Sequence, residues 1–86
     1  MEYNQQTKNR LRRIEGQIKG VLSMIEQDKD CKEVVMQLSA ARSAIDRVMG
    51  VIVSANLEHC VRESMANGED TEKLVQEAVN LLVKSR

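Results

Sequence analysis

Apolar residues near the N-terminus recur at alternating spacings of three and four, which keeps side chains on one face of an α-helix. Five residues hold this register: Leu11, Ile14, Ile18, Val21 and Ile25. The pattern predicts a first helix over about residues 4–27. The polar sequence DKD at 28–30 then interrupts it.

A longer apolar stripe follows in the next segment. Its members alternate by four and three, and they are Val34, Leu38, Ala41, Ile45, Val48, Ile52 and Ala55. We predict a second helix from near Asp30 to about Ala66, where the turn-forming sequence NGED begins. A helix of this size is on the order of 50 Å long. A shorter third helix is predicted over about residues 70–84, with apolar positions at Leu74, Ala78, Leu81 and Leu82.

The stripe on the second helix is too long for a chain of 86 residues to cover by itself. It runs from Val34 to Leu57, so its centre lies between Ile45 and Asp46. Two copies packed antiparallel about a two-fold axis at this centre would cover each other. With the first helix of each copy, they would form a four-helix bundle. The predicted fold class is all-α, with three helices in a single domain over residues 1–86.

The composition agrees with a helical protein, because the chain has no Pro, Phe or Trp and only one Tyr. Its formal net charge is zero. We find no apolar run of membrane-spanning length and no apolar signal segment after the N-terminus, so we expect a cytoplasmic protein that does not bind membranes. In that compartment, two cysteines are more often reduced, metal-binding or redox-active than joined in a permanent disulfide.

Charge is unevenly distributed along the chain. Within twelve positions lie five cations opposed only by Glu15, and these are Lys8, Arg10, Arg12, Arg13 and Lys19. The C-terminal third is richer in carboxylates. A balanced total argues against a nonspecific polycation, but a basic helix face of this kind can bind nucleic acid.

The two cysteines, Cys31 and Cys60, both lie on the predicted second helix. At about 1.5 Å per residue they are roughly 43 Å apart and cannot meet within one chain. Their midpoint also lies between Ile45 and Asp46. Their separation is close to eight turns, so both thiols point the same way. In the antiparallel dimer, Cys31 of one copy would therefore lie beside Cys60 of the other.

The sequence SANLEHC at 54–60 supplies the other candidate groups. Asn56 is one turn before Cys60 and shares its face, whereas His59 is turned about 100° away. Asn is a poor ligand for soft metals, which prefer thiolate and imidazole. The spacing therefore predicts a dithiol site with His59 outside it, as an exposed residue. The alternative is that both cysteines are small buried apolar residues.

Cys31 is the better candidate nucleophile. It lies in the first turn of the second helix, where backbone N–H groups and the helix dipole stabilise a thiolate, and Lys29 and Lys32 add positive charge. Cys60, deep in the helix, would be the resolving thiol. No catalytic base, phosphate-binding loop or carboxylate pair is indicated, so we expect neither an enzyme nor a bound cofactor.

The chain resembles the CsoR/RcnR family of repressors. The likeness rests on NRLRRIEGQIKGV at 9–21, CKEVVMQLSAARSAIDRVMG at 31–50 and the Cys31/Asn56/Cys60 spacing. The resemblance implies an all-helical dimer of dimers that binds operator DNA without a helix-turn-helix and is released by an inducer at the interprotomer cysteine site. It also implies candidate DNA-binding residues, which are Lys8, Arg10, Arg12, Arg13, Gln17, Lys19 and Arg42.

Within that family, copper sensors carry His one turn before the second Cys, where this chain has Asn56. A dithiol without this His resembles the CstR branch, which senses persulfides or polysulfides and controls sulfide-detoxification genes. In that branch a di-, tri- or tetrasulfide links Cys residues at the positions of Cys31 and Cys60. Two alternatives remain: a copper(I) sensor that uses the two thiolates alone, and a purely structural dimerisation module.

Overall fold

The computed structural model describes residues 3–85, which contain three α-helices and no strand. The helices are α1 (Gln5–Glu26), α2 (Cys31–Ala66) and α3 (Glu72–Lys84). Each predicted helix is present, with ends within two residues of the prediction. The all-α fold class is therefore confirmed. None of the helices within residues 3–85 is long and apolar enough to cross a membrane.

Local hydrogen bonds explain where the helices begin and end. The Asn4 side chain accepts a hydrogen bond from the Thr7 backbone N–H at 2.8 Å, which caps the start of α1. Two backbone bonds close its other end, from the N–H groups of Asp28 and Lys29 to carbonyls of the last turn. They form a Schellman motif around Asp28, which has a φ of 56°.

The turn between α2 and α3 also has a residue with positive φ and backbone hydrogen bonds to the last helical turn, and here the residue is a glycine. Gly68 has a φ of 72°, a conformation that costs glycine little. Its N–H donates to the Met65 carbonyl, and the Glu69 N–H donates to the Ser64 carbonyl at 2.7 Å. The Asp70 side chain then accepts from the Glu72 N–H at 3.0 Å, where α3 begins.

The chain divides into two compact units, Tyr3–Val48 and residues 49–85, and α2 contributes to both. The single domain over residues 1–86 stays a prediction. In the first unit, α1 and the beginning of α2 form an antiparallel helical hairpin. Its buried residues recur at intervals of seven, and they are Thr7, Ile14 and Val21 on α1 and Ala41 and Val48 on α2.

A second apolar row on the hairpin is exposed. We call it the apolar seam, and it consists of Leu11, Ile18 and Ile25 on α1 and Leu38 and Ile45 on α2. With the buried row, these residues account for the predicted α1 stripe and for the middle of the predicted α2 stripe, whose other members are half-buried (Val34, Ile52) or exposed (Ala55). The hairpin therefore buries only part of each stripe with its own side chains, because one helix can shield only one side of its neighbour.

In the second unit, α3 is amphipathic. Leu74, Ala78 and Leu82 are half-buried, whereas Val75 and Val79 are exposed. Ser64, in the last turns of α2, is the buried polar residue of this unit.

Candidate sensing thiols and basic cleft

Cys31 is the first residue of α2 and is exposed, with a free thiol. Its position at the helix N-terminus is as predicted. Leu38 and Ile45 follow at intervals of seven, so Cys31 heads the α2 row of the apolar seam. A thiol at this place can react with a solute and can also meet whatever covers the seam.

Cys60 is half-buried in the second unit, also as a free thiol. Asn56 is exposed one helical turn earlier, on the same side of α2. His59 is exposed, and its Nε2 lies 3.2 Å from Oε1 of Glu63. The prediction that His59 is an exposed surface residue is therefore confirmed.

Residues 3–85 contain no cluster of three or more His, Cys, Asp or Glu side chains that could hold a metal ion. Cys31 and Cys60 are roughly 43 Å apart along α2 at about 1.5 Å per residue, so one chain offers its thiolates singly. A soft metal such as copper(I) would need a thiolate from each of two copies, because Asn56 adds no ligand that such a metal prefers.

Basic residues line a cleft of about 160 Å³ between α1 and α2 in the first unit. It is bounded by Arg10, Arg13, Ile14, Gln17, Ala44, Arg47 and Val48. The three arginines and Gln17 are exposed, whereas Ile14 and Val48 belong to the buried core of the hairpin. The guanidinium groups therefore lie at the surface above a packed core. Arginine at such a surface can donate hydrogen bonds to phosphate oxygens.

The predicted DNA-binding residues do not all lie at this cleft. Lys8, Arg12 and Lys19 are exposed about 150° around α1 from the cleft residues. Proximity in sequence groups these cations, but the helical rotation of about 100° per residue separates them. Arg42 is exposed between Leu38 and Ile45 in helical spacing, on the seam side of α2.

Arg47 is a cleft residue that the sequence analysis missed. It stands far along the chain from the basic cluster of α1, and only the antiparallel hairpin brings it beside Arg10 and Arg13. Its position directly before Val48, a residue of the predicted stripe on the second helix, is the sequence signal that could have indicated Arg47 as a residue near the core.

The sequence matches the model of the family described as "Metal-sensitive transcriptional repressor" over residues 3–84. The chain belongs to this family. Its members are transcriptional repressors, which are not enzymes, and the resemblance to the CsoR/RcnR family is confirmed. The CstR branch within this repressor family stays a prediction.

Individual relatives agree with this assignment. The uncharacterized protein YrkD of Bacillus subtilis (strain 168) is 73% identical over 63 residues, which cover 73% of this chain and 100% of YrkD. The copper-sensing transcriptional repressor CsoR of the same strain is 34% identical over 79 residues, covering 92% of this chain and 77% of CsoR. The structure of the nickel-responsive transcriptional regulator InrS is similar with a TM-score of 0.79 and 36% identity, over 94% of this chain and 93% of InrS.

Proposed function

We propose that this repressor binds operator DNA as a cytoplasmic homodimer or homotetramer and releases it when reactive sulfur links Cys31 to Cys60 of the partner subunit. The genes concerned would be those of sulfide detoxification. The DNA surface, the assembly and the inducer are argued in turn.

The proposed dimer is supported by the apolar seam. Its five residues are 39% or more exposed in the single chain, and Ile45 lies next to the centre of the α2 stripe. Monomeric proteins rarely leave a continuous apolar surface of this kind in water. A second copy in antiparallel orientation covers it with the same surface, as two-fold symmetry requires.

The proposed DNA surface is centred on the basic cleft. Arginine pairs well with phosphate oxygens, and Gln17 can donate to phosphate or read a base edge. Because the cleft and the apolar seam lie on different sides of the hairpin, a dimer that covers the seam leaves the cleft accessible. Each phosphate contact should contribute about one unit to the salt dependence of affinity.

The sensing chemistry needs two thiols and a persulfide. The Cys31 thiolate attacks the sulfane sulfur of R–S–SH, which gives Cys31–S–SH and releases RS⁻. The thiolate of Cys60 in the partner subunit then attacks Sγ of Cys31, which forms a disulfide and releases HS⁻. The sulfane sulfur is reduced by two electrons, and the two thiols supply them. A second sulfur transfer before closure gives a longer polysulfide link.

The observation that carries this proposal is Asn56 in the turn before Cys60, on the same side of α2. A dithiol with a neighbouring amide suits sulfur transfer. It supplies two thiolates to a metal but no third ligand of the kind that soft metals prefer.

Copper(I) sensing at the same two thiolates is the second candidate, and the copper-sensing relative CsoR favours it. Copper(I) accepts soft thiolate ligands, so Cys31 and Cys60 of the partner subunit would hold it without a third ligand. Tight stoichiometric binding against a competing chelator, together with loss of DNA affinity, would support this candidate.

The deciding experiment treats the DNA-bound protein with persulfide and measures intact mass, non-reducing electrophoretic mobility and DNA affinity. The parent should form a reducible link between protomers and release DNA. Cys60→Ala should accept a persulfide at Cys31, form no link and stay on DNA, whereas Cys31→Ala should not respond. If persulfide leaves both thiols unmodified, or if Cys60→Ala releases DNA as readily as the parent, the mechanism is wrong.

A further inference from the structure

The basic cleft is concave as well as positively charged. Its volume of about 160 Å³ is room for about five water molecules at about 30 Å³ each. Pockets that hold drug-sized molecules are larger, at about 300–1,000 Å³. The cleft therefore has room for a small ligand of the size of one phosphate or sulfate group.

The polar groups of the cleft come from both helices of the hairpin. Arg10, Arg13 and Gln17 stand three and four positions apart, so they share one side of α1. Arg47 reaches the same cleft from α2. A guanidinium group can donate two parallel hydrogen bonds to one anion, and the amide of Gln17 can donate another. The cleft therefore offers several donors to a single anionic group.

No carboxylate lines the cleft. The ion pairs within residues 3–85 lie on the second half of α2, after the cleft, so none of the three cleft arginines has a carboxylate partner. The other lining side chains are apolar, and they are Ile14, Ala44 and Val48. Like charges that share a cleft repel one another, and an anion bound between them offsets that repulsion.

We propose that the basic cleft is a binding site for one tetrahedral divalent oxyanion, the chemical class of inorganic phosphate and sulfate. Competition with DNA rests on the proposed function, because a phosphate group of the operator backbone offers oxygens of the same kind to the same donors. A free oxyanion and the operator then exclude each other from the cleft. Operator affinity therefore depends on which anion is in solution as well as on ionic strength.

The first test titrates the protein without DNA. Inorganic phosphate, and in a second series sulfate, replaces chloride at constant ionic strength, and NMR follows the Nε–H groups of the arginines. The signals of Arg10, Arg13 and Arg47 should shift together on a one-site curve, with a dissociation constant on the order of 1 mM because the cleft is open to water. Arg12 is the internal control, since it is exposed on another side of α1. Equal shifts of Arg12 and the cleft arginines would overturn the site.

Variants at Arg47 separate a shaped site from a general attraction of anions. Arg47→Ala should bind phosphate about tenfold or more weakly, because charge-assisted hydrogen bonds are lost. Arg47→Lys keeps the charge but cannot donate two parallel hydrogen bonds, so it should bind about threefold or more weakly. Lys73→Ala removes a cation from α3 and should bind phosphate as the parent does. Unchanged affinity in Arg47→Lys would mean attraction by charge alone and would overturn the site.

The second test measures operator binding at constant ionic strength. With a dissociation constant of about 1 mM, about 10 mM phosphate in place of chloride should weaken operator binding about tenfold for each cleft that DNA occupies. Arg47→Ala should lose this phosphate effect.

The two proposals fail in different ways. If phosphate binds the cleft but Arg47→Ala binds operator with an unchanged salt slope, the proposed DNA surface is wrong and the oxyanion site stands. If Arg47→Ala lowers the salt slope but phosphate neither binds nor competes, the oxyanion site is wrong and the DNA surface stands.

Discussion

Ile45 should contribute strongly to dimerisation, because it lies next to the proposed two-fold axis. Its side chain is 40% exposed in the single chain. Full burial of an Ile is worth about 2–3 kcal/mol, so covering the exposed part contributes about 1 kcal/mol per copy and about 2 kcal/mol per dimer. Ile45→Ala removes most of this contribution. The dimer dissociation constant should therefore rise about tenfold or more, at about 1.4 kcal/mol per factor of ten.

Ile45→Asp should have a much larger effect, because the axis would bring two carboxylates together in a surface that excludes water. Each charge buried without a partner costs several kcal/mol, so the dimer should be lost at micromolar concentration. Val51→Asp is the matched control. Val51 is 37% exposed in the same helix, but it lies one turn after Arg47, on the side of the cleft. This variant should remain dimeric.

Sedimentation equilibrium of the parent and the three variants measures these constants, and circular dichroism at the same concentrations reports helix content. Equal dissociation of Ile45→Asp and Val51→Asp would refute the reasoning. So would a parent chain that is fully helical and monomeric at micromolar concentration.

Three further predictions follow from single positions. Gly68→Ala should lower the free energy of unfolding by about 1 kcal/mol, because φ is positive at this residue. Gly16→Ala should raise the free energy of unfolding by up to about 1 kcal/mol, because an added Cβ meets nothing within 4 Å and Ala favours a helix. Thermal unfolding tests both. Arg47→Ala should lower the salt slope of operator binding by about one, and an unchanged slope would place the DNA surface elsewhere. Asn56→His should tighten copper(I) binding in a chelator competition by adding an imidazole ligand, and unchanged affinity would exclude position 56 from the site.

The helices could be predicted from the sequence because their signals are local. The spacing of apolar residues fixes the three segments, and the DKD and NGED sequences mark the turns. The same spacing could not show which apolar row the hairpin buries. Ile14 and Ile18 are equally apolar and lie on adjoining sides of α1, but only Ile14 faces α2 in the fold.

The candidate site could be predicted only in part for a related reason. Cys31 at a helix start and His59 at the surface follow from local pattern, and the structure agrees. The cleft forms only where two helices meet, so the sequence analysis missed Arg47. Lys8 and Arg12 are close to the cleft residues of α1 in sequence, and they were therefore predicted to share one surface with them. Sequence distance is a poor guide here, because a rotation of about 100° per residue separates neighbours and the hairpin joins distant residues.

The hairpin carries its basic cleft and its Cys31 row on different sides, so operator and inducer would not compete for space under the proposed function. A complex that holds DNA while its thiols react is then sterically possible, and release must come from a change in the shape of the assembly. Thermodynamic linkage makes the effect reciprocal at equilibrium. If linking the thiols weakens DNA binding tenfold, bound DNA raises the midpoint potential of that two-electron couple by about 30 mV, so that a stronger oxidant is needed to form the link. An occupied operator would thereby raise the threshold of its own sensor.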